Sequence, residues 1–353
     1  MFLVSSFMVL SLVAGWRLTF EWLTHQVSPR ERLLLVGTGP AAVALARELF
    51  DRRQDLGVEI VGFVDPDPAR IGAPVINPGI IGTIRDIPSI VRERAVDRVV
   101  VSLADARGKL PMDSLLKMKL AGVSFDHLAS VYEELTGKIA LENLRPSWLI
   151  FSHGFRKDRL LQAEKRLLDI VTASIGLFLA APVMAVVALA VRWTSPGPIV
   201  FRQQRVGLNG RVFTVLKFRS MRQDAEASTG AVWATQNDTR VTPIGRFLRR
   251  SRLDEIPQLL NVLRGDMSLV GPRPERPEFV SGLTEQIPFY GQRHVVRPGI
   301  TGWAQVRYTY GSTVEDALEK LQYDLFYIKN LSIPLDLFII FSTIKTVVLR
   351  RGA

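Results

Sequence analysis

The chain has 353 residues, 47% hydrophobic and 22% charged, which excludes an intrinsically disordered protein and leaves length for two or three packed domains. With no cysteine it cannot be a disulfide scaffold, a cysteine-ligated metal protein or a thiol enzyme, and its four histidines (His25, His127, His153, His294) are too scattered for a local metal motif. The net charge of +11 lies in residues 151–353, where basic side chains outnumber acidic ones 28 to 17, so a polyanionic partner is expected: nucleic acid, an anionic membrane surface or a phosphorylated substrate.

Met1–Trp16 is uncharged and ends at Arg17. It lacks the basic start and cleavage motif of a signal peptide, and Trp16 and Trp22 suit a membrane–water interface, so a short membrane helix is expected. Arg32–Arg47 reads as strand, glycine turn and helix; Val58–Asp65 and Asp97–Leu103 read as further buried strands. Strands alternating with helices predict a parallel sheet. The turn at Gly37 and Gly39, with Asp65 after the second strand, follows the logic of a dinucleotide-binding turn, although Ala42 replaces the third glycine and Pro40 intrudes. A turn of this form also serves simply to pack helix on strand. No acid–base pair accompanies it.

Ile170–Val191 runs 22 residues without a charge, long enough to cross a bilayer. Pro182 removes a backbone hydrogen bond near its middle and predicts a bend. Arg156, Lys157, Arg159, Lys165 and Arg166 precede the segment, and Arg192, Arg202 and Arg205 follow it. Basic residues favour the cytoplasmic side, so a re-entrant helix with both ends on one face is expected, with a kinked span as the alternative.

Ile199–Arg205 and Val212–Arg219 read as strands joined by a turn, and alternation places Lys217 and Arg219 on one face. Two neighbouring cations suit a diphosphate. Asp254 and Glu255 form an acidic pair within an arginine-rich run. Pro257 predicts a helix starting there, whose N-terminus would keep both carboxylates ionised. Alternatively, Ser251 and Asp254 form a capping arrangement and the helix starts earlier. An ionised carboxylate is a competent nucleophile, and its neighbour can hold a divalent cation on substrate phosphates. Gly265–Glu275 reads as a loop in which prolines fix Arg273 for bidentate phosphate recognition, and Arg297–Gln305 as a rigid loop pairing a cation with Trp303. Leu331–Leu349 reads as an interfacial amphipathic helix.

Five ordered blocks between Lys165 and Arg351 resemble the bacterial sugar transferase family of monotopic phosphoglycosyl transferases: Lys217–Met221, Leu253–Leu259, Asn261–Ser268, Gly271–Pro274 and Arg297–Trp303. Residues 31–145 resemble the Rossmann-like domain of its larger, exopolysaccharide-associated members, which carry several N-terminal spans where this chain has one short apolar segment. The resemblance implies an α/β protein: an N-terminal membrane helix and linker at 1–28, a Rossmann-like domain at 29–148, and a phosphoglycosyl transferase domain at 149–353. That last domain would hold a re-entrant membrane helix near 166–192, broken at Pro182, a mixed α/β catalytic part and interfacial helices.

It also implies a reaction. A UDP-sugar gives its sugar-1-phosphate to polyprenyl phosphate and releases UMP. Asp254 would attack the β-phosphoryl group, Asp254 and Glu255 would hold Mg²⁺, and Lys217, Arg219, Arg249, Arg273 and Arg297 would bind phosphates and nucleotide. The implied setting is the cytoplasmic face of the bacterial inner membrane, with the bilayer as partner, no nucleic acid, and room for a homo-oligomer. Ala181 stands where members often have Ser, so the break rests more on Pro182 alone; Arg307-Tyr308 stands where they often have Asn-Gly, so the sugar is not specified. A non-catalytic membrane scaffold for polysaccharide export is the rival reading; it would leave Asp254 and Glu255 without purpose.

Overall fold

A computed structural model describes Gly15 and residues 30–51, 56–102, 112–141, 154–155, 158–223, 225, 239–308, 311 and 313–348. The expected N-terminal membrane helix lies outside these residues, apart from Gly15. The chain divides into two compact units, Met1–Asn143 and Leu144–Ala353.

In the first unit, β1 (Glu31–Val36), β2 (Val58–Asp65), β3 (Ile80–Thr83), β4 (Arg98–Val101) and β5 (Ser124–His127) form a parallel sheet in the order β3–β2–β1–β4–β5. Helices α1 (Pro40–Asp51), α2 (Ile87–Glu93), α3 (Met112–Leu120) and α4 (Leu128–Thr136) complete it. Successive side chains of a strand point to opposite faces, so the apolar run of β1 serves two cores. Leu34 and Val36 pack with Val64, Ile87 and Val99, while Leu33 and Leu35 pack with Leu45, Phe63 and Val100. The parallel sheet is the one that alternating strands and helices predict, and helices cover both of its faces.

The second unit begins with α5 (Arg159–Thr194), a helix of 36 residues that is long and apolar enough to cross a membrane. Pro182 sits inside it, and the helix continues through the proline. Asp169, Ala173, Val187 and Val191 form one buried stripe, while Val171, Ile175, Phe178, Val186 and Trp193 are exposed. Each end of the stripe is tied to the rest of the unit. Lys165 pairs with Asp336 at 2.5 Å, Arg166 donates to the carbonyls of Val262 and Leu263, and Asp169 accepts from the hydroxyl of Ser268. Twenty residues further on, Val187 and Val191 pack against Phe218 and Leu248.

After α5, β6 (Val200–Val206) and β7 (Val212–Phe218) form an antiparallel hairpin. Next come α6 (Pro243–Arg250), α7 (Gln258–Arg264), β8 (Ser268–Val270), α8 (Pro277–Gln286), β9 (Gly299–Thr301), α9 (Trp303–Arg307), α10 (Val314–Lys329) and α11 (Ile333–Val348). The two segments read as loops around Arg273 and Trp303 instead contribute β8 and β9, which pair in parallel. Gly271 permits this pairing, since a side chain there would strike the carbonyl of Arg297 and the amide of Gly299. Trp303 is buried and stacks on Phe326, so it anchors the core of this unit. Helix α11 buries Asp336 and Ile339 but exposes Leu337, Phe338, Phe341 and Ile344, the apolar face expected of an interfacial helix.

Candidate active site

Between α6 and α7 the backbone turns sharply. Arg252 adopts a left-handed conformation (φ 56°), and Leu253–Glu255 form a single 3₁₀ turn before Pro257, which precedes α7 as its N-cap. The helix therefore begins near Pro257, as the first sequence alternative has it. The capping arrangement at Ser251 does not form; its hydroxyl donates back to Phe247 and Leu248 and closes α6. The turn buries both Asp254 and Glu255.

Glu255 is the hub of the charges. Its Oε1 accepts from Lys217 Nζ at 3.2 Å and Arg273 Nη2 at 2.9 Å, and its Oε2 lies 3.7 Å from Arg252 Nη1. Burial alone would raise its pKa, but Arg273 and Lys217 outweigh burial and hold the carboxyl well below the usual range. Asp254 is different. Its Oδ1 is buried without a hydrogen-bond partner, and burial together with the neighbouring Glu255 pushes its pKa up to about 6, against the pull of Lys217, Arg249 and Arg273. Desolvation thus raises Asp254 while the three cations oppose it. At neutral pH the carboxylate is still mostly ionised, poorly solvated and free at one oxygen, which describes an activated nucleophile. Burial also lowers the pKa of Lys217, against the pull of Glu255.

The other expected cations divide into two groups. Arg249 on α6 acts electrostatically on Asp254 and is steadied by its Nε bond to Ser220 Oγ at 2.9 Å. Arg273 reaches Glu255. Arg219 does not join them. Strand β7 ends at Phe218, so strand alternation no longer sets the direction of Arg219. Its Nη2 donates to the carbonyl and hydroxyl of Ser195 at 2.7 and 2.8 Å, closing the C-terminal end of α5. Arg297 donates to the carbonyl of Gly265 at 3.0 Å, a tie across the end of α7.

Two further side chains escaped the sequence reading. Asn261 bridges α7 to β7 through Leu216 N and Thr214 O, which sets the strand bearing Lys217 against the helix following Asp254. Gln258 is buried with its Nε2 unpartnered one helical turn after Asp254. Both stand within the Leu253–Ser268 blocks, where polar residues on the inward face of a short helix were the available signal.

For a divalent cation, no group of three or more acidic or histidine side chains exists among the described residues. Asp254 has a free buried oxygen, whereas Glu255 Oε1 is committed to two cations. That donor set fits Mg²⁺ held by one or two carboxylates together with substrate phosphates, not an all-protein cage.

In the first unit, Gly37 (φ 98°) forms the turn between β1 and α1. Thr38 Oγ1 donates to Asp65 at 2.5 Å, and Arg70 Nη1 donates to the same carboxylate at 2.9 Å. Thr38, between Gly37 and Gly39, thus meets Asp65, and the acid is already engaged by two neighbours.

Residues 160–350, more than half of the chain, match the profile described as bacterial sugar transferase. The chain belongs to the bacterial sugar transferase family. Residues 1–110 match a CoA-binding domain. A UDP-glucose:undecaprenyl-phosphate glucose-1-phosphate transferase of Xanthomonas campestris pv. campestris is 36% identical over 98% of this chain and 73% of its own length. An undecaprenyl-phosphate glucose phosphotransferase of Komagataeibacter xylinus is 37% identical over 91% of this chain and 60% of its own. A UDP-N-acetylgalactosamine-undecaprenyl-phosphate N-acetylgalactosaminephosphotransferase of Aeromonas hydrophila is 42% identical over 68% of this chain and 56% of its own. The alignments thus span less than two thirds of the last two relatives. In this family member, the matched region contains the whole Lys217–Asp254–Glu255–Arg273 constellation.

Proposed function

We propose that this chain transfers a sugar-1-phosphate from a UDP-sugar to polyprenyl (undecaprenyl) phosphate through a phosphosugar ester on Asp254. The observation that carries the reading is the buried, unbonded Oδ1 of Asp254 beside a Glu255 locked by two cations. In the first step an oxygen of Asp254 bonds to the β-phosphorus, and the bond from that phosphorus to the α–β bridging oxygen breaks. UMP leaves with that oxygen. In the second, an oxygen of the acceptor phosphate bonds to the same phosphorus, the ester breaks, and the Asp254 carboxylate is restored. Lys217, Arg249 and Arg273 offset the charge gathering on the departing phosphate. Mg²⁺, held by Asp254 and Glu255 with the diphosphate, would supply further neutralisation.

The acceptor phosphate sits at a membrane surface, so the site has to work there. We place it on the cytoplasmic face of the bacterial inner membrane, with α5 as a re-entrant anchor bent at Pro182. Support comes from the stripe of α5, which meets the same unit near Asp169 and again near Val191 while its opposite face is exposed and apolar. A helix crossing the bilayer would carry one of its ends away from that unit. Purified protein given Mg²⁺ and a UDP-sugar labelled in the sugar, without acceptor, is expected to carry label on Asp254. UMP release on adding undecaprenyl phosphate without prior labelling would overturn the ester, and no release with any UDP-sugar would overturn the reaction.

A further inference from the structure

Arg293 lies in the 3₁₀ segment Tyr290–Val295 and is 5% exposed. Its Nη1 donates to the hydroxyl of Tyr290 at 2.6 Å. Its Nη2 donates to the main-chain carbonyl of Arg273 at 3.1 Å and pairs with Asp324 of α10 at 2.7 Å. Asp324 is 1% exposed. On the next residue a second guanidinium does the same: Arg205 Nη1 of β6 donates to the carbonyl of Pro274 at 3.1 Å and lies 3.5 Å from the carboxylate of Glu275. Two successive carbonyls are thus gripped, with Pro272 and Pro274 restricting the backbone on either side. The side chain rooted between them, Arg273, reaches Glu255 at 2.9 Å.

We infer that Arg293, anchored by Asp324 and Tyr290, is a positioning residue that holds the Arg273 backbone so that its guanidinium meets Glu255 and the donor diphosphate. The inference rests on the transfer reaction proposed above. A flexible arginine would lose rotamer freedom each time it met the substrate, whereas one fixed at its root arrives aligned. The grip requires a guanidinium. Its planar fork makes two hydrogen bonds and an ion pair at once, while the ammonium of a lysine is a single point charge. A simple stabilising ion pair between Arg293 and Asp324 would not require the bond to Arg273.

The test is a double-mutant cycle on the full chain, with undecaprenyl phosphate, UDP-glucose or UDP-N-acetylgalactosamine, and UMP release as readout. Arg293→Lys and Arg273→Ala are each expected to lower kcat/KM by about tenfold or more, and the double variant to match Arg273→Ala within about a factor of three. A double variant that loses the product of the two single losses, or an Arg293→Lys protein at the unaltered level, overturns the inference. Tyr290→Phe removes one hydroxyl with little change of shape and decides the matter should Arg293→Lys melt at low temperature. It is expected to slow transfer in the unaltered background and not in Arg273→Ala; equal slowing in both overturns the inference. Absence of UMP release by the unaltered chain would overturn the underlying reaction and this inference with it. Release accompanied by independent losses overturns this inference alone.

Discussion

Under the proposed reaction, Asp254 sets function against stability. Its folded pKa is raised to about 6 from an ordinary 3.8. The folded state therefore binds this proton more tightly than the unfolded state, and ionising Asp254 costs stability as pH rises through that window. A raised pKa of this size corresponds to about 3 kcal/mol at neutral pH, taking ~1.4 kcal/mol per unit. In metal-free protein, Asp254→Asn is expected to be more stable than the unaltered chain at pH 7.5, and the gap to close below pH 4; denaturant titrations at the two pH values measure it. The same substitution is expected to abolish transfer, by three orders of magnitude or more in kcat. Glu255→Gln should act differently. It frees Lys217 and Arg273 from their shared carboxylate, so donor binding and turnover are both expected to fall, read as KM and kcat in the UMP assay. The sequence made most of this cluster legible, since Lys217, Glu255 and Arg273 meet from three of the blocks it singled out, beside Asp254. It did not disclose Arg219's partner, because alternation governs a side chain only while the strand lasts, and β7 stops one residue earlier. Nor did it disclose Arg293, whose contacts join segments distant in sequence.

Among the elements, α5 and the β8–β9 pair best separate what pattern can and cannot reveal. An uncharged run marks an apolar helix, and α5 is one, yet hydropathy does not report which residues form the stripe that packs inward. With no native cysteine, single replacements such as Gln162→Cys and Thr194→Cys, both exposed on the flanks of α5, report sidedness cleanly. A membrane-impermeant thiol reagent is expected to miss both in intact cells and to label both in inside-out vesicles. Labelling of one flank from outside would instead indicate a span. The β8–β9 pairing was hidden by prolines and glycines that read as loop. Those glycines allow two backbones to touch, so Gly271→Ala should cost about 1–3 kcal/mol through overpacking and disturb the root of Arg273, visible in both thermal melting and UMP release.

At the scale of the whole molecule, the polar constellation falls within the unit Leu144–Ala353, and the parallel sheet with its glycine turn falls within Met1–Asn143. The basic excess follows the same division, as expected if the second unit handles phosphates and an anionic surface. A fragment of residues 144–353 in detergent is therefore expected to keep UMP release within about tenfold of the full chain. Near-complete loss would assign the first unit a direct part in the reaction. The ligand of that first unit was not legible, because a glycine turn with a following acid is compatible with packing alone.

Arg219 adds a mechanical consequence. Through Ser195 it grips the exit of the apolar helix, and it lies two residues beyond Lys217, which holds Glu255. In the proposed membrane-anchored arrangement, the depth of the helix and the position of Lys217 share one short stretch of chain. Lipids whose acyl chains are too short or too long would draw the helix end up or down at a modest energetic cost per ångström. That displacement would arrive at the lysine. In reconstituted vesicles, turnover should pass through a maximum with acyl length, and Arg219→Met should flatten the dependence, which would make bilayer thickness a tuning variable of the enzyme.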